Sequence, residues 1–323
     1  MFKHCIKNLL VTSLLAMFIL LTACGTRADE NTQQPRPEQT SQSEQRVKTD
    51  ALGHPVAIPN HPQRIIASYL EDHLIALGIT PIAQWSVKNG QSIQNYLQEY
   101  LAGVDTIPHD LPLETVSQFE PDLIIIGSAA AVEGGKYEQY SKIAPTYVVA
   151  QETNENWRET LRRIAVLMEL EQQAEQVLTA YDEKADKNKA LLHEAIGDES
   201  AAVIWLTGGN FFIVSENVSS GDVLYHDLGL SVPKVVEEIS RVATGNWSAV
   251  SLEKLATLDA DHLFLINSDS GDGAEWLQDP LWKNIPAVKK GNVYEYGSEK
   301  SWLYSGAIAN EQIMDAVLKS LIK

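Results

Sequence analysis

The sequence predicts an α/β protein of two lobes, each with a mostly parallel sheet flanked by helices, joined by a single long helix. Short apolar segments alternate with helical patterns, which is typical of parallel strands covered on both faces. The same alternation begins again after Gly197. Between the two series lies a long polar helical segment, which would span about 35 Å. We therefore predict an N-terminal lobe over residues 49–170, an interlobe helix over 171–195 and a C-terminal lobe over 196–323.

The chain begins with the pattern of a secretory signal. Lys3 and Lys7 precede an apolar run at residues 9–21 that is short for a membrane span. Residues 21–24, Leu-Thr-Ala-Cys, resemble the lipobox at which bacterial lipoproteins are cleaved and acylated. The resemblance implies a signal peptide at residues 1–23 and a lipidated N-terminus at Cys24. The alternative is an ordinary cleaved signal with an accidental cysteine.

The segment that follows is predicted to be a disordered tether over residues 24–48. It is rich in Gln, Glu, Thr, Ser and Pro and has no aromatic residue, so it cannot bury a core. The net charge of the chain is −18, and the loss of Lys3 and Lys7 with the signal makes it −20. Such an acidic chain is a poor candidate for nucleic-acid binding, because phosphate contacts are made mainly by Lys and Arg.

The first lobe is predicted to start with a small hairpin around Gly53. A helical stretch reaches Leu77 and is ended by Gly78. The buried strands of this lobe are predicted at residues 64–67, 82–85, 122–127 and 146–149.

Two helical patterns follow the first lobe. Apolar residues at 157, 161, 164, 165 and 168 fall on one helix face, and those at 174, 177, 178, 181 and 185 begin the long interlobe helix. The strands of the second lobe are predicted at residues 202–206, 211–214, 262–266 and 292–296.

The two lobes contain a matched pair of segments. Glu114 stands eight residues before Asp122, and Glu253 stands eight residues before Asp261. In both segments a glutamate begins a short helix that leads to a buried strand. Each glutamate would also stabilise the N-terminus of its helix by a few tenths of a kcal/mol.

These features together resemble the periplasmic substrate-binding proteins of iron–siderophore and cobalamin ABC importers, in the lipoprotein form of Gram-positive ferric siderophore receptors. The resemblance covers most of the chain after residue 47, and it is carried by residues 49–53, 62–66, 113–122, 252–261, 279–282 and 287–294. It implies a ligand cleft between the lobes and delivery of the ligand to a permease dimer with a cytoplasmic ATPase. It also places Glu114 and Glu253 where the family has one permease-docking glutamate per lobe.

Ligand contacts are expected from loops at the carboxyl ends of the strands. The predicted ligand-binding residues are aromatic or cationic: Trp85, Lys88, Arg241, Trp247, Trp302 and Tyr304. For each aromatic residue, ordinary packing is the alternative. We assign Trp205 and Trp282 to core or structural roles, and His73 to a solvated or capping position.

A ferric siderophore is the predicted ligand, with Fe³⁺ carried as cargo and no resident cofactor or metal. Hydroxamate siderophores are favoured over citrate or catecholate types, because the predicted cleft has few arginines to bind anionic oxygens. Cobalamin and haem are alternatives within the same fold.

Three other classes of protein compete with a siderophore receptor. An enzyme is disfavoured because the G-x-S-x-G, H-E-x-x-H, Walker and G-x-G-x-x-G motifs are missing from the sequence. A receptor for bare metal ions needs converging ligands, and the eight histidines are scattered. A non-transport scaffold lipoprotein is opposed only by the paired glutamates. We therefore expect an exported monomer, anchored to the outer face of the cytoplasmic membrane, with a Gram-positive surface favoured.

Overall fold

The computed structural model describes residues 46–153, 156–269 and 271–322. The predicted signal peptide, Cys24 and nearly all of the tether lie outside the described residues. The described residues form one compact unit. The boundaries of the two lobes within that unit therefore stay predictions, and we refer to the parts before and after the long helix as the first and second halves.

The first half contains short strands and helices in alternation. Its strands are β1 (Arg46–Thr49), β2 (Pro55–Ile58), β3 (Ile65–Ile66), β4 (Gln84–Val87), β5 (Ser92–Ile93), β6 (Thr106–Pro108), β7 (Leu123–Ser128) and β8 (Thr146–Ala150). Its helices are α1 (Glu71–Ala76), α2 (Gln98–Leu101), α3 (Leu113–Gln118), α4 (Lys136–Tyr140) and α5 (Trp157–Met168).

The long helix α6 (Glu171–Ile196) is followed by the elements of the second half. The strands there are β9 (Ala201–Thr207), β10 (Asn210–Val214), β11 (Trp247–Val250), β12 (His262–Asn267) and β13 (Val293–Gly297). The helices are α7 (Ser219–Asp222), which a π-helical turn (Val223–Asp227) extends, α8 (Lys234–Ser240), α9 (Leu252–Leu255), α10 (Pro280–Asn284), α11 (Pro286–Lys290) and α12 (Ala307–Leu321).

The sheet topology confirms the predicted fold class. In the first half β1 and β2 form an antiparallel hairpin, β3-β7-β8 is a parallel sheet, and β5-β4-β6 is a mixed one. The second half has one sheet in the order β11-β10-β9-β12-β13. Its β9, β12 and β13 are parallel, while β10 runs antiparallel to both of its neighbours. Among the described residues, no helix is long and apolar enough to cross a membrane.

Helix α6 forms because one of its faces carries a stripe of apolar residues. Ala174, Leu178, Tyr181 and Ala185 are buried on that face, at the three- and four-residue spacing of an α-helix. The helix packs on α5 and α12, and it ends at Gly197, whose φ of +61° favours glycine. It runs one residue beyond the predicted span of 171–195.

One apolar core runs through both halves and includes Leu74, Leu178, Phe264 and Trp302. The indole of Trp302 is 1% exposed and stacks on Phe264 at a centroid distance of 4.9 Å. The prediction that Trp302 contacts ligand is therefore wrong, because packing in the core leaves no face of its ring open.

A partly buried ion-pair cluster also joins the two halves. Arg158, at the start of α5, lies 2.9 Å from an Asp227 carboxylate oxygen and 3.8 Å from one of Asp222. The hydroxyl of Tyr181, in α6, donates to the other Asp227 oxygen at 2.5 Å, and the Arg158 guanidinium lies over the Tyr181 ring. We refer to these four residues as the Arg158 cluster. It connects α5, α6 and the helical segment of residues 219–227.

Candidate ligand-binding site

Four aromatic residues from distant parts of the sequence form the first aromatic cluster: Tyr69, Trp85, Tyr96 and Tyr304. The Tyr69 ring lies 5.3 Å from that of Trp85 and 6.0 Å from that of Tyr304. Tyr304 also packs 4.9 Å from Tyr96. Tyr69 is 51% exposed, and Trp85 and Tyr304 are half-buried, so these three rings form a partly open aromatic surface.

Local backbone geometry directs these rings. Trp85 lies on β4, where its neighbours Gln84 and Ser86 point into the protein and are buried. Tyr69 has a φ of +68° just before α1, which is uncommon for a bulky residue. Tyr304 follows the 3₁₀ turn Ser301–Leu303 and has an extended backbone. Tyr304 lies only two residues after Trp302, but the Trp302 ring is buried in the core and the Tyr304 ring belongs to the cluster.

Two adjacent carboxyl groups, Glu71 and Asp72, lie buried beneath this cluster. An oxygen of Glu71 accepts the Trp85 N–H at 2.6 Å. Burial raises the pKa of Glu71 to about 8, although that N–H acts to lower it. Asp72 accepts the N–H groups of Ile308 and Ala309. Burial raises the pKa of Asp72 to about 6, and these hydrogen bonds oppose the shift.

The second half carries a second aromatic cluster, formed by Trp205, Phe212 and Trp247. Trp205 and Phe212 are paired across β9 and β10, with ring centroids 5.5 Å apart, and Trp247 lies 5.8 Å from Trp205. The Trp205 indole N–H donates to Ser268 at 2.8 Å. All three rings are half-buried. Trp205 packs against the core without being fully buried, because its face of the sheet is incompletely covered.

The two clusters are linked through a short segment after β10. Val214 pairs with Trp247 at the edge of the sheet. Five residues later, the Ser219 hydroxyl donates to the carbonyl of Tyr304 at 3.3 Å. The two partly open aromatic surfaces are therefore connected by one segment.

The two predicted cations are at the surface. Lys88 is exposed at the turn after β4, with a φ of +52°. The Arg241 side chain is 70% exposed and pairs with Glu237 at 3.4 Å. Their roles as ligand contacts stay predictions, as do those of Trp85, Trp247 and Tyr304.

His73 does not occupy the solvated or capping position that we assigned to it. It is 5% exposed, because its position on α1 faces the core rather than the solvent. Burial lowers its pKa to about 4, so the ring is neutral at physiological pH. The other residue assigned to the core, Trp282, is buried there and stacks on Phe211.

Glu114 and Glu253 occupy matching places in the two halves. Both are exposed and lie in the first turns of α3 and α9. The pKa of Glu253 is lowered by its own backbone N–H and by the Ser251 hydroxyl. Each residue presents a carboxylate to solvent at the start of a short helix.

No group of three or more His, Cys, Asp or Glu residues within the described ranges is arranged to hold a metal ion. The two clusters consist mainly of aromatic rings. Rings of this kind can pack against apolar surface of a small molecule.

A family profile and two relatives from Bacillus subtilis match this chain. The profile of a family described as periplasmic binding protein matches residues 69–300. The iron(3+)-hydroxamate-binding protein FhuD of Bacillus subtilis is 26% identical over 313 residues, which is 96% of each chain. The probable siderophore-binding lipoprotein YfiY of the same organism is 26% identical over 330 residues, covering 98% of each chain.

A solved structure shares the fold. It is a periplasmic binding protein component of a ferrichrome ABC transporter from Bacillus subtilis, in the FhuD fold family. The TM-score is 0.72 at 25% identity, covering 85% of this chain and 100% of that one. The mixed α/β architecture with its long connecting helix is thus that of the FhuD fold.

Proposed function

Because this chain belongs to the periplasmic binding protein family, we propose that it is the substrate-binding protein of an ABC importer. It captures a ferric siderophore, preferably of the hydroxamate type, and delivers it to a permease dimer driven by a cytoplasmic ATPase. The full-length similarity to a hydroxamate-binding relative supports this ligand class. In this role the protein binds and releases the siderophore and performs no catalytic step.

The two partly open aromatic clusters are the main support for a hydroxamate siderophore as the ligand. A ferric hydroxamate presents apolar chelate edges and carries little negative charge, so ring faces and hydroxyl groups suit it. A strongly anionic complex would instead need a cluster of cations. Arg241 is at the surface and paired with Glu237, which fits the weaker demand for positive charge.

The first prediction concerns the Trp85 ring as a ligand contact. Ferrioxamine B, a ferric trihydroxamate, should quench tryptophan fluorescence at sub-micromolar concentration. Trp85→Ala should weaken its affinity at least tenfold, since a central aromatic contact commonly contributes more than about 1.4 kcal/mol. The matched control is Trp282→Phe, which changes a buried tryptophan outside both aromatic clusters and should keep the affinity within twofold.

Parallel titrations with ferric citrate, a ferric catecholate, haem and cobalamin separate the alternatives. Binding of haem or cobalamin in place of ferrioxamine B would replace the hydroxamate proposal with a receptor for that ligand. If none of these compounds changed the fluorescence or gave heat on mixing, a scaffold lipoprotein would be the better description.

We also propose that the receptor works as an exported monomer, attached through lipidated Cys24 to the outer face of the cytoplasmic membrane. The lipobox-like residues 21–24 and the lipoprotein among its relatives support this. A lipid anchor would keep the receptor close to its permease and raise the effective concentration.

The anchor gives a second prediction. Cys24→Ser should leave the protein without an acylated mature N-terminus in a Gram-positive host, because the cysteine that carries the acyl chains is missing. Fractionation and immunoblotting measure the distribution, and mass spectrometry of the mature N-terminus measures the lipid. Thr22→Ser, which keeps the cysteine, is the control. A wild-type protein whose mature N-terminus carries no acyl chain at Cys24 would contradict anchoring through this residue.

A further inference from the structure

The first aromatic cluster rests on hydrogen bonds made by two neighbouring buried side chains. Glu71 and Asp72, in the first turn of α1, are 0% and 2% exposed. An oxygen of Glu71 accepts the backbone N–H of Trp85 at 2.6 Å. Glu71 itself follows Tyr69 by two residues. A single side chain therefore joins the segment that carries Tyr69 to the strand that carries Trp85.

Asp72 makes the corresponding connection to the other two rings. It accepts the Tyr96 hydroxyl at 3.1 Å and the Ala309 N–H at 2.9 Å through one oxygen, and the Ile308 N–H at 3.1 Å through the other. These bonds fix the start of α12, only a few residues after Tyr304.

The backbone of Gly306 is adapted to this contact. Its φ is +155°, and a Cβ atom at this position would lie 2.2 Å from a carboxylate oxygen of Asp72. Any larger residue would push α12 away from α1. The close approach of Asp72 to this helix therefore depends on a glycine two residues after Tyr304.

The free-energy cost of burying these carboxyl groups indicates that their role is to fix the spacing of backbone segments. Burial of a carboxyl group in an apolar site is unfavourable, and a well-packed apolar residue at the same place is often as stable or more stable. An apolar residue, however, could not accept the Trp85 N–H or bind the first N–H groups of α12. What Glu71 and Asp72 add is therefore a fixed spacing between backbone segments far apart in sequence.

We infer that Glu71 and Asp72 are positioning residues that set the spacing of the Tyr69, Trp85, Tyr96 and Tyr304 rings and thereby the affinity for ligand. The effect on affinity rests on the proposed function, but the effect on ring spacing does not. Neither residue is proposed to contact the ligand. Each acts through the rings whose backbones or hydroxyl groups it binds.

Ionisation of Glu71 provides a signature that needs no ligand. The titratable groups facing it are Asp72 on the same helix and the phenols of Tyr69, Tyr96 and Tyr304. Burial raises the pKa of Glu71 to about 8 and that of Asp72 to about 6. The hydrogen bond to the Trp85 N–H becomes stronger when its acceptor ionises. The Trp85 amide resonance should therefore shift with a midpoint near pH 8.

The experiment is performed on the ligand-free protein labelled with ¹⁵N-tryptophan, which gives seven tryptophan backbone amides. The Trp85 amide, assigned with Trp85→Phe, should show the step near pH 8 in the wild type and lose it in Glu71→Gln. Glu194→Gln, which changes an exposed glutamate on α6, should leave the step in place. If Glu71→Gln kept the step, Glu71 would not hold Trp85, and the inference would be overturned.

The second arm measures affinity for ferrioxamine B. Glu71→Gln keeps an acceptor for the Trp85 N–H and should stay within threefold of the wild type at pH 6.5. Glu71→Leu removes the acceptor and should weaken binding at least tenfold, with an unchanged circular dichroism spectrum. Equal affinity in a folded Glu71→Leu protein would overturn the inference.

The amide titration and the affinity measurement can be decided separately. If the wild type did not bind ferrioxamine B, the hydroxamate proposal would fail, and the amide titration would still decide whether Glu71 positions Trp85. If Glu71→Leu did not fold, Glu71→Gln would decide through its amide titration. For Asp72, hydrogen exchange of residues 306–310 should speed up in Asp72→Leu and less in Asp72→Asn, whose amide oxygen replaces only one of the two carboxylate oxygens; equal rates in both variants would overturn its part.

Discussion

Uptake of a ferric siderophore should be abolished when Glu114 and Glu253 are both changed to Ala, while affinity for the siderophore stays within twofold. The reason is that both carboxylates are exposed at the starts of short helices and lie outside both aromatic clusters. Charge pairing with a partner sets orientation and encounter rate. Without both anchors, a loaded receptor would have no fixed register on its permease.

The structure supports the match between the Glu114 and Glu253 segments beyond their equal spacing in the sequence. Asp122, eight residues after Glu114, accepts the Gln63 and Arg64 N–H groups just before β3. Asp261, eight residues after Glu253, accepts the Ser200 N–H just before β9. In both halves the aspartate joins two neighbouring parallel strands. The two glutamates thus begin equivalent units, as two identical permease subunits would require.

The measurement is uptake of radioactive iron as a siderophore complex in cells that express each variant at the same surface level. Each single change should reduce uptake partially, because one anchor remains. The matched control is Glu120→Ala with Asp259→Ala, which removes one exposed acidic residue from each half. Uptake by the Glu114/Glu253 double variant equal to that of the control pair would refute the docking role.

The buried strands could be predicted because their apolar runs are continuous. Strand β7, predicted at 122–127, is found at Leu123–Ser128, and its first four residues are buried. Strand β5 has only two residues, and in β11 the polar Ser248 follows Trp247, so neither strand contains a continuous apolar run that could identify it. For that reason Trp247 was predicted in a loop, whereas it lies on the edge strand of a sheet.

The candidate site was less accessible to prediction, because it depends on contacts between distant segments. Trp85 and Tyr304 come together only because α12 packs on α1, and Asp72 fixes that contact through Ala309, 237 residues away. Nothing in the local pattern distinguishes Trp302, which is buried, from Tyr304, which is not. Acidic residues in the first turn of a helix are common, so the local sequence does not show that Glu71 and Asp72 are buried beneath the rings.

Arg158→Ala should lower the free energy of unfolding by about 3–5 kcal/mol, because it leaves a buried carboxylate without its cation. The Asp227 side chain is 2% exposed, and Asp222 lies nearby, where burial and Asp227 raise its pKa. Urea denaturation followed by circular dichroism measures the loss. The control, Arg162→Ala, breaks ion pairs of a 40% exposed side chain with Glu159 and Glu175 and should cost at most about 1 kcal/mol.

A second substitution distinguishes lost charge pairing from lost packing in the Arg158 cluster. If the unpaired charge dominates, Asp227→Asn in the Arg158→Ala background should recover part of the stability, since the amide can still accept the Tyr181 hydroxyl and carries no charge. If the cost is mainly the contact of the guanidinium with the Tyr181 ring, Asp227→Asn should add to the loss. An Arg158→Ala protein as stable as Arg162→Ala would contradict the prediction. Because the cluster connects α5, α6 and residues 219–227, a large loss would mean that it helps the shared apolar core to hold the two halves together.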